Sequence, residues 1–238
     1  MIYYSKETQE VTQEQSPVFR KETSRRHDIP KVWNYAKHNS SCRGVDEGNT
    51  GLRILIEMIM ELQILNYIQE HFRTVWGDQI MTFITHLGDH GLIWICLGIV
   101  LLFFKKTRKA GFTLLIALLI ELLIANITLK PLIARQRPFT LNPDVDLLIP
   151  VPKDFSFPSG HTGASFAAIF ALAFNRCRLW LPSLILGCLI AYSRMYIYVH
   201  FPTDILGGVG CGLVSALISW LIIGLFAKKI PGRLGPEK

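Results

Sequence analysis

Long apolar blocks separated by short polar turns dominate the chain after residue 51, and blocks of this kind predict membrane helices. The first block, 52–72, contains three glutamates at irregular intervals and predicts a marginal or interfacial helix. The second begins near Gln79 and reaches Phe104, with a Gly-Asp-His-Gly sequence that predicts a kink. Four more blocks cover 110–129, 162–174, 179–199 and 204–227. The pattern predicts an all-α polytopic membrane helix bundle with five clear spans and a sixth, N-terminal helix.

Residues 1–51 are polar, nearly balanced in charge and without sustained apolar periodicity. This composition predicts a disordered leader, and it matches neither a secretory signal nor a basic targeting arm. We hypothesise that Met58 or Met60 is the native start, so that the leader does not belong to the fold. From the apolar pattern, residues 52–238 are predicted to form the membrane domain. Intact-mass analysis of the protein expressed from its own locus tests this, and a full 27.0 kDa species would contradict it.

Composition and charge agree with a membrane protein and give no sign of a nucleic-acid partner. Half of the 238 residues are hydrophobic and the net charge is +7, with the basic residues clustered beside the apolar blocks. The clusters at 105–109, 176–178 and 228–233 fall at alternate turns, which the positive-inside rule makes cytoplasmic. The opposite turns, 130–158 and 200–204, are then extracytoplasmic. These extracytoplasmic turns also carry basic residues, which the positive-inside rule does not explain. The excess of positive charge there predicts an anionic ligand.

The five cysteines are scattered, four in or beside apolar blocks and one in the leader. None of the spacings is that of a CxxC pair or a disulfide framework. We therefore expect neither disulfides nor a metal centre, and no cofactor.

Two of the extracytoplasmic motifs carry groups suited to phosphate. In the first, Lys130 precedes Arg137-Pro138 by seven residues, which offers a point charge and a planar fork to phosphate oxygens. A snorkelling interfacial cluster accounts for this motif equally well. In the second, Pro158-Ser159-Gly160-His161 opens an apolar helix, with Ser159 as an N-cap and free N–H groups as an anion site. His161 is then placed to donate a proton to a leaving oxygen.

The third motif joins the last two apolar blocks. Ser193-Arg194 is followed by His200 and, four residues later, by Asp204, whose carboxylate could hold one imidazole nitrogen and leave the other aimed at phosphorus. A polar corner at the membrane surface would also place such residues here, and the macrodipole favours an acidic residue such as Asp204 in a first helical turn. The predicted membrane topology favours a functional site, because the order of the spans places all three motifs on one side of the membrane.

Together the three motifs resemble the three-part signature of the type-2 phosphatidic acid phosphatase family, which also includes vanadium haloperoxidases. The resemblance covers about residues 60–228, and the short loop 139–157 is similar to that of the compact bacterial branch. It implies a six-helix bundle that dephosphorylates lipids without a metal ion. The matching positions are Lys130, Arg137, Pro138, Ser159, Gly160, His161, Arg194, His200 and Asp204.

The resemblance also implies a role for each residue. His200 would attack phosphorus to give a phosphohistidine, with Asp204 orienting it, and His161 would protonate the leaving group and then activate water. The equatorial oxygens would be neutralised by the phosphate-binding group, in which three cations replace Mg²⁺. That group comprises Lys130, Arg137, Arg194, Ser159 and Gly160.

We expect an integral enzyme of the bacterial plasma membrane whose active site faces outward, where a lipid phosphate would sit while its tail stays in the bilayer. Candidate substrates are undecaprenyl pyrophosphate, phosphatidylglycerophosphate and phosphatidic acid, and the sequence selects neither among these nor any protein partner. A lipid phosphotransferase and a non-catalytic lipid-binding protein remain alternatives, although a pure binder would not need a His-Asp pair. We also expect His86, Asp89 and His90 to contact the lipid headgroup. Tyr192, Tyr196 and Tyr198 are expected to form part of an interfacial aromatic belt.

Overall fold

The computed structural model describes residues 50–229, with side chains over 56–226, and within this range the chain is helical without strands. Of the predicted leader, only Thr50 and Gly51 lie within the described residues, where they begin the first helix. The α-helices are α1 (Thr50–Phe72), α2 (Val75–Leu87), α3 (Leu92–Phe103), α4 (Arg108–Glu121), α5 (Lys130–Ile133), α6 (Pro138–Leu141), α7 (Gly160–Phe174), α8 (Trp180–Tyr196) and α9 (Pro202–Lys229).

The segment that leads into the first motif is wider than an α-helix. Residues Leu122–Leu129 continue α4 as a π-helix and pass directly into α5. Such wide turns are uncommon and change which side chains share a helix face. Here the π-helix places Asn126 against the start of α7, where its Oδ1 would lie 2.8 Å from a Cβ added at Gly160. Ala134, with a left-handed φ of 49°, then ends α5 and turns the chain toward the site.

Helix α7 forms the centre of the bundle and packs against α4, α8 and α9. Small side chains make this possible, because they let neighbouring backbones approach closely. A Cβ added at Gly212 of α9 would lie 2.7 Å from the backbone nitrogen of Ala167 and 2.8 Å from the carbonyl oxygen of Gly163. Trp94 of α3 closes the core from the other side and donates its indole N–H to Ser165 at 3.1 Å. Close packing around α7 therefore fixes the helix that carries His161 in its first turn.

Two stretches of the described chain are long and apolar enough to cross a membrane, Arg108–Leu141 and Pro202–Phe226. A third exists if α2 and the following Asp89–Phe103 form one span, since they are bent by 43° at the predicted kink. Helix α7 has 15 residues, or about 22 Å, which is shorter than the roughly 30 Å of a hydrocarbon core. The prediction of an all-helical bundle is confirmed for the described residues, whereas the five spans stay a prediction.

The chain leaves α8 earlier than its apolar pattern indicates. The block 179–199 reads as one helix, but α8 ends at Tyr196, and Tyr198 adopts a left-handed φ of 61°. The tyrosine hydroxyls face inward: Tyr196 donates to Asp78 at 2.9 Å and Tyr198 donates to Asn66 at 2.7 Å. The prediction that these two residues join an interfacial belt is wrong, because α1 and α2 cover them. The result is an irregular, fully buried turn that carries His200.

Candidate active site

His200 lies in the buried turn between α8 and α9, with 1% of its surface exposed. Its Nδ1 is 3.4 Å from Oδ2 of Asp204, and its Nε2 is 3.1 Å from Nη1 of Arg137. A guanidinium can only donate hydrogen bonds, so Nε2 accepts and the imidazole proton resides on Nδ1, facing the carboxylate. This is the tautomer in which Nε2 carries the lone pair. The geometry matches the predicted His-Asp arrangement.

The protonation state of His200 follows from its surroundings. Burial and the positive charges of Arg137, Arg194 and Lys130 hold the pKa of His200 well below its ordinary value of about 6.5. The imidazole is therefore neutral at neutral pH. A neutral imidazole with a free lone pair is the form that can act as a nucleophile.

Asp204 is fixed by groups on both of its oxygens. Its Oδ2 accepts the backbone N–H of Phe201 at 2.8 Å and the hydroxyl of Ser156, while Oδ1 accepts from Nη1 of Arg135 at 2.7 Å. The bond to Phe201 closes the first turn of α9, which begins at Pro202. Asp204 is thus placed for both the helix-start role and the orienting role, which are compatible.

Arg135 and Glu61 support this carboxylate and were not among the predicted site residues. Glu61 of α1 is 8% exposed, forms an ion pair with Arg135 and accepts the backbone N–H of Thr203 at 2.9 Å. The Arg135 guanidinium also lies 4.1 Å from the centroid of the Phe201 ring. Helix α1, predicted to be marginal, therefore closes one side of the site. The only sequence signal was the excess of cations in the turn after α5.

The three predicted cations are all present and buried. Lys130 is 8% exposed, and Arg137 and Arg194 are each 4% exposed. Arg194 donates from Nη1 to Thr85 at 2.7 Å, and its buried Nε has no hydrogen-bond partner within residues 56–226. Arg137 donates from Nη1 to the carbonyl of Val199 at 2.8 Å. A buried guanidinium N–H without a partner, beside two further buried cations, indicates a site suited to an anion.

One carboxylate already contacts two of these cations. Asp154, on the loop between α6 and α7, accepts from Nη2 of Arg137 at 2.7 Å and from Nζ of Lys130. Burial alone would raise the pKa of Asp154, but the hydrogen bond from Lys130 and the charge of Arg137 hold it well below its usual range. Its side chain is 52% exposed, whereas both cations are buried. The cation pair thus accommodates an oxyanion at the edge of the site.

The start of α7 differs from the prediction in one respect. Ser159 is the N-cap residue, but its side chain makes no capping bond to the helix. Its hydroxyl instead accepts from Thr162 at 3.1 Å, and its backbone N–H donates to the carbonyl of Asp204 at 3.0 Å. In place of a side-chain cap, the turn is held by this hydrogen bond to Asp204 at the start of α9. Gly160 lies against the side chain of Asn126, which leaves no room for a Cβ at this position.

His161 is the second residue of α7, and its ring lies against Gly88 at the break between α2 and α3. Its Nε2 is 2.9 Å from Oδ1 of Asp89, a contact the sequence did not predict, since Asp89 was expected to meet a headgroup. Both His161 and His200 interact electrostatically with Lys130 and Arg194, and with each other. The structure therefore brings the predicted residues of all three motifs into one site. Within residues 56–226, no group of three or more metal-ligating side chains is positioned to hold a metal ion.

Comparisons with known proteins match the chain to the PAP2 superfamily over residues 107–227. An undecaprenyl-diphosphatase of Sulfolobus acidocaldarius is 34% identical over 178 residues, covering 72% of this chain and 84% of the relative. Phosphatidylglycerophosphatase B of Bacillus subtilis is 31% identical over 172 residues, covering 66% and 79%. The crystal structure of LpxE from Aquifex aeolicus aligns with a TM-score of 0.58 at 31% identity, covering 66% of this chain and 93% of that one.

Proposed function

The chain belongs to the PAP2 superfamily and is a phosphatase of that superfamily, and from this premise we propose that it hydrolyses the phosphate of a membrane lipid through a phosphohistidine at His200. The resemblance inferred from the three motifs is thereby confirmed. One observation carries the proposal: Asp204 and Arg137 hold the two nitrogens of His200 in the nucleophilic tautomer, inside a cluster of buried cations.

Substrate binding prepares the nucleophile. In the free protein, Nη1 of Arg137 donates to Nε2 of His200. The phosphate oxygens accept the N–H groups of Lys130, Arg137 and Arg194, including this N–H of Arg137. Nε2 is then free to attack phosphorus while Asp204 stabilises the imidazolium that forms. The cations neutralise the negative charge on the equatorial oxygens, which is the main contribution of a protein to phosphoryl transfer.

His161 acts as the general acid and then as the general base. Its proton passes to the departing lipid oxygen as the P–O bond breaks, which leaves phosphate on His200. The neutral imidazole of His161 next removes a proton from the water that attacks the phosphohistidine. Inorganic phosphate leaves, and both histidines return to their starting states. Ser159 and Gly160 complete the phosphate-binding group at the start of α7.

The substrate class follows from the relatives and from the position of the site. The chain resembles an undecaprenyl-diphosphatase and a phosphatidylglycerophosphatase, and both are named for lipid phosphates. We propose undecaprenyl pyrophosphate as the first candidate, with phosphatidylglycerophosphate and phosphatidic acid next. Hydrolysis, and not transfer to another lipid or sugar, is proposed because the chain aligns with phosphatases over most of their length.

We also propose that the protein spans the bacterial plasma membrane several times, with the site on the extracytoplasmic face. The support is the alternation of basic clusters along the sequence, with 105–109 and 176–178 on the side opposite to the site. In a variant without native cysteines, Asp144→Cys should react with a membrane-impermeant maleimide in intact cells, and Lys106→Cys should not. The reverse labelling pattern would contradict this orientation.

Purified protein tests the function. In detergent with EDTA, the wild type should release inorganic phosphate from at least one of the three lipid phosphates, with water as the only acceptor. His200→Ala should lose activity by several orders of magnitude while retaining its elution volume and melting temperature. Full activity in that variant, an absolute need for added metal, or transfer to an added alcohol without phosphate release would contradict the proposal.

A further inference from the structure

The break between α2 and α3 carries a second carboxylate–histidine pair, distant in sequence from the first. Asp89 lies in the 3-10 turn Asp89–Gly91, where its Oδ1 is 2.9 Å from Nε2 of His161. Its other oxygen, Oδ2, is 2.7 Å from Nδ1 of His86 on the last turn of α2. The three side chains form a row that runs from the exposed His86 to the site.

The backbone of this break is fitted to the His161 imidazole. His90 and Gly91 both have left-handed φ values, 53° and 65°, which turn α3 away from α2 and bring Asp89 over the start of α7. A Cβ added at Gly88 would lie 2.8 Å from Cδ2 of His161, so only a glycine leaves room for the ring there. The close contact with the His161 ring therefore explains why a glycine stands at the predicted kink.

The contact sets which nitrogen of His161 can exchange a proton. An ionised carboxylate only accepts hydrogen bonds, so Nε2 of His161 carries a hydrogen that faces Asp89. Nδ1, which makes no hydrogen bond within the described side chains, is left for the proton passed to the substrate oxygen. Apart from Asp89, the titratable groups around His161 are Arg194, Lys130 and the neutral His200 ring. Burial first, and then the two cations, disfavour the imidazolium of His161. Asp89 is the anion that opposes them.

We propose that Asp89 is the positioning residue of His161, holding its tautomer and stabilising the imidazolium that donates the proton. The site then contains two histidines that are each held by a carboxylate: His200 by Asp204 for the attack on phosphorus, and His161 by Asp89 for proton transfer. His86 in turn holds the carboxylate of Asp89. This inference rests on the proposed function, because it assigns Asp89 to the acid of that reaction. When the P–O bond breaks, the Nδ1 proton of His161 moves to the lipid oxygen, and the neutral ring keeps its bond to Asp89.

A double-mutant cycle on the full-length protein tests whether Asp89 acts through His161. Asp89→Asn keeps the shape and removes the charge, and it should lower kcat/KM for phosphatidic acid in micelles by about 10- to 100-fold. In a His161→Gln background the same change should cause no further loss. Asp144→Asn, an exposed carboxylate on the loop before α7, is the matched control and should keep wild-type activity.

The leaving group supplies a second readout that a purely structural role would not affect. Nitrophenol is acidic enough to leave without a proton, so Asp89→Asn should lose less kcat/KM on p-nitrophenyl phosphate than on phosphatidic acid. Equal losses on both substrates, or an equal loss with and without His161, would overturn the inference. If Asp89→Asn does not fold, His86→Gln replaces it in the same double-mutant cycle. It should lower kcat/KM by a smaller factor than Asp89→Asn, and should cause no further loss in the His161→Gln background.

The two proposals fail in different ways. If the wild type releases no phosphate, or His200→Ala retains full activity, the proposed function is wrong, whatever Asp89 does. If the wild type is active, His200→Ala is inactive and Asp89→Asn equals the wild type, then only the role of Asp89 is wrong.

Discussion

At the scale of single residues, the site depends on one neutral histidine enclosed by cations. His200 is buried, and its nitrogens are assigned by their neighbours: Arg137 can only donate, and Asp204 accepts. Each neighbour requires the same tautomer, with the proton on Nδ1 and the lone pair on Nε2. The combination explains how a histidine next to three positive charges can serve as a nucleophile at neutral pH.

The lowered pKa of His200 predicts a pH-dependent stability. Below about pH 6.5 the unfolded chain binds a proton at this histidine and the folded protein does not, so stability falls as the pH decreases toward the folded-state pKa. The contribution is at most about 1.4 kcal/mol per pH unit in that window. Melting temperatures in detergent between about pH 7.5 and pH 5.5 should therefore fall more steeply for the wild type than for His200→Gln.

The exposed His71 provides the control for this comparison, since His71→Gln removes a histidine without touching the site. That variant should keep the wild-type slope. A His200→Gln protein whose melting temperature falls as steeply as that of the wild type would show that the His200 pKa is not lowered.

Asp154 gives a second prediction at this scale. Its carboxylate contacts Lys130 and Arg137, so it competes with any anion that binds these cations. Asp154→Asn should therefore make inorganic phosphate a stronger competitive inhibitor, with an inhibition constant lower by about tenfold, the equivalent of 1.4 kcal/mol. Asp144→Asn on the same loop should leave the constant unchanged. Weaker inhibition in Asp154→Asn would mean instead that Asp154 holds the two cations in position for phosphate.

The residues predicted from sequence are those whose partners lie close in the chain or belong to a motif. His200 and Asp204 are four residues apart, one in the buried turn and the other in the first turn of α9, so their proximity in sequence already favours the pairing. Asp89 lies 72 residues from His161 and Glu61 lies 142 residues from Thr203, so these contacts depend on how the helices pack. Sequence spacing contains no information on such pairs. Arg135 was visible only as a surplus charge.

At the scale of helices, the position of the site depends on the close contact between α7 and α9. Gly212 faces the backbone of α7, whereas Gly210, two residues earlier, has open space around its Cα. The Ser159 N–H to Asp204 carbonyl bond joins the same two helices beside the site. Any separation of α7 from α9 therefore moves His161 relative to Asp204.

A pair of glycine substitutions tests this contact. Gly212→Ala places a methyl group under 3 Å from backbone atoms of Gly163 and Ala167, and should cost about 1 to 3 kcal/mol of stability. Gly210→Ala meets nothing and should be neutral or stabilising by up to about 1 kcal/mol, because alanine favours helix. Thermal melting and activity in detergent measure both. Similar melting temperatures for the two variants would contradict the importance of this contact.

Helix type was predictable from the apolar blocks, whereas the number of helices and their ends were less so. The kink at 88–91 was predicted because Gly-Asp-His-Gly interrupts an apolar run. The end of α8 at Tyr196 was missed, since the residues up to Val199 are apolar and a buried turn has the composition of a buried helix. The π-helix before Lys130 has no sequence signal that distinguishes it from an α-helix.

At the scale of the whole molecule, the outer surface is apolar while the site is charged. Helix α9 exposes large leucines at a spacing of four residues, a face suited to lipid. These are Leu213, Leu217, Leu221 and Leu225. The charged residues of the site lie inside the bundle, near the ends of α5, α7 and α8.

The direct test of the account is to trap the covalent intermediate. In rapid-quench experiments with a lipid phosphate, peptide mass spectrometry should find an acid-labile phosphoryl group on His200. His161→Gln should accumulate more of it from p-nitrophenyl phosphate, because attack of water is slowed. Phosphate on another residue, or hydrolysis by the wild type without any phosphorylated His200 under alkaline quench, would contradict the central claim that His200 is the nucleophile.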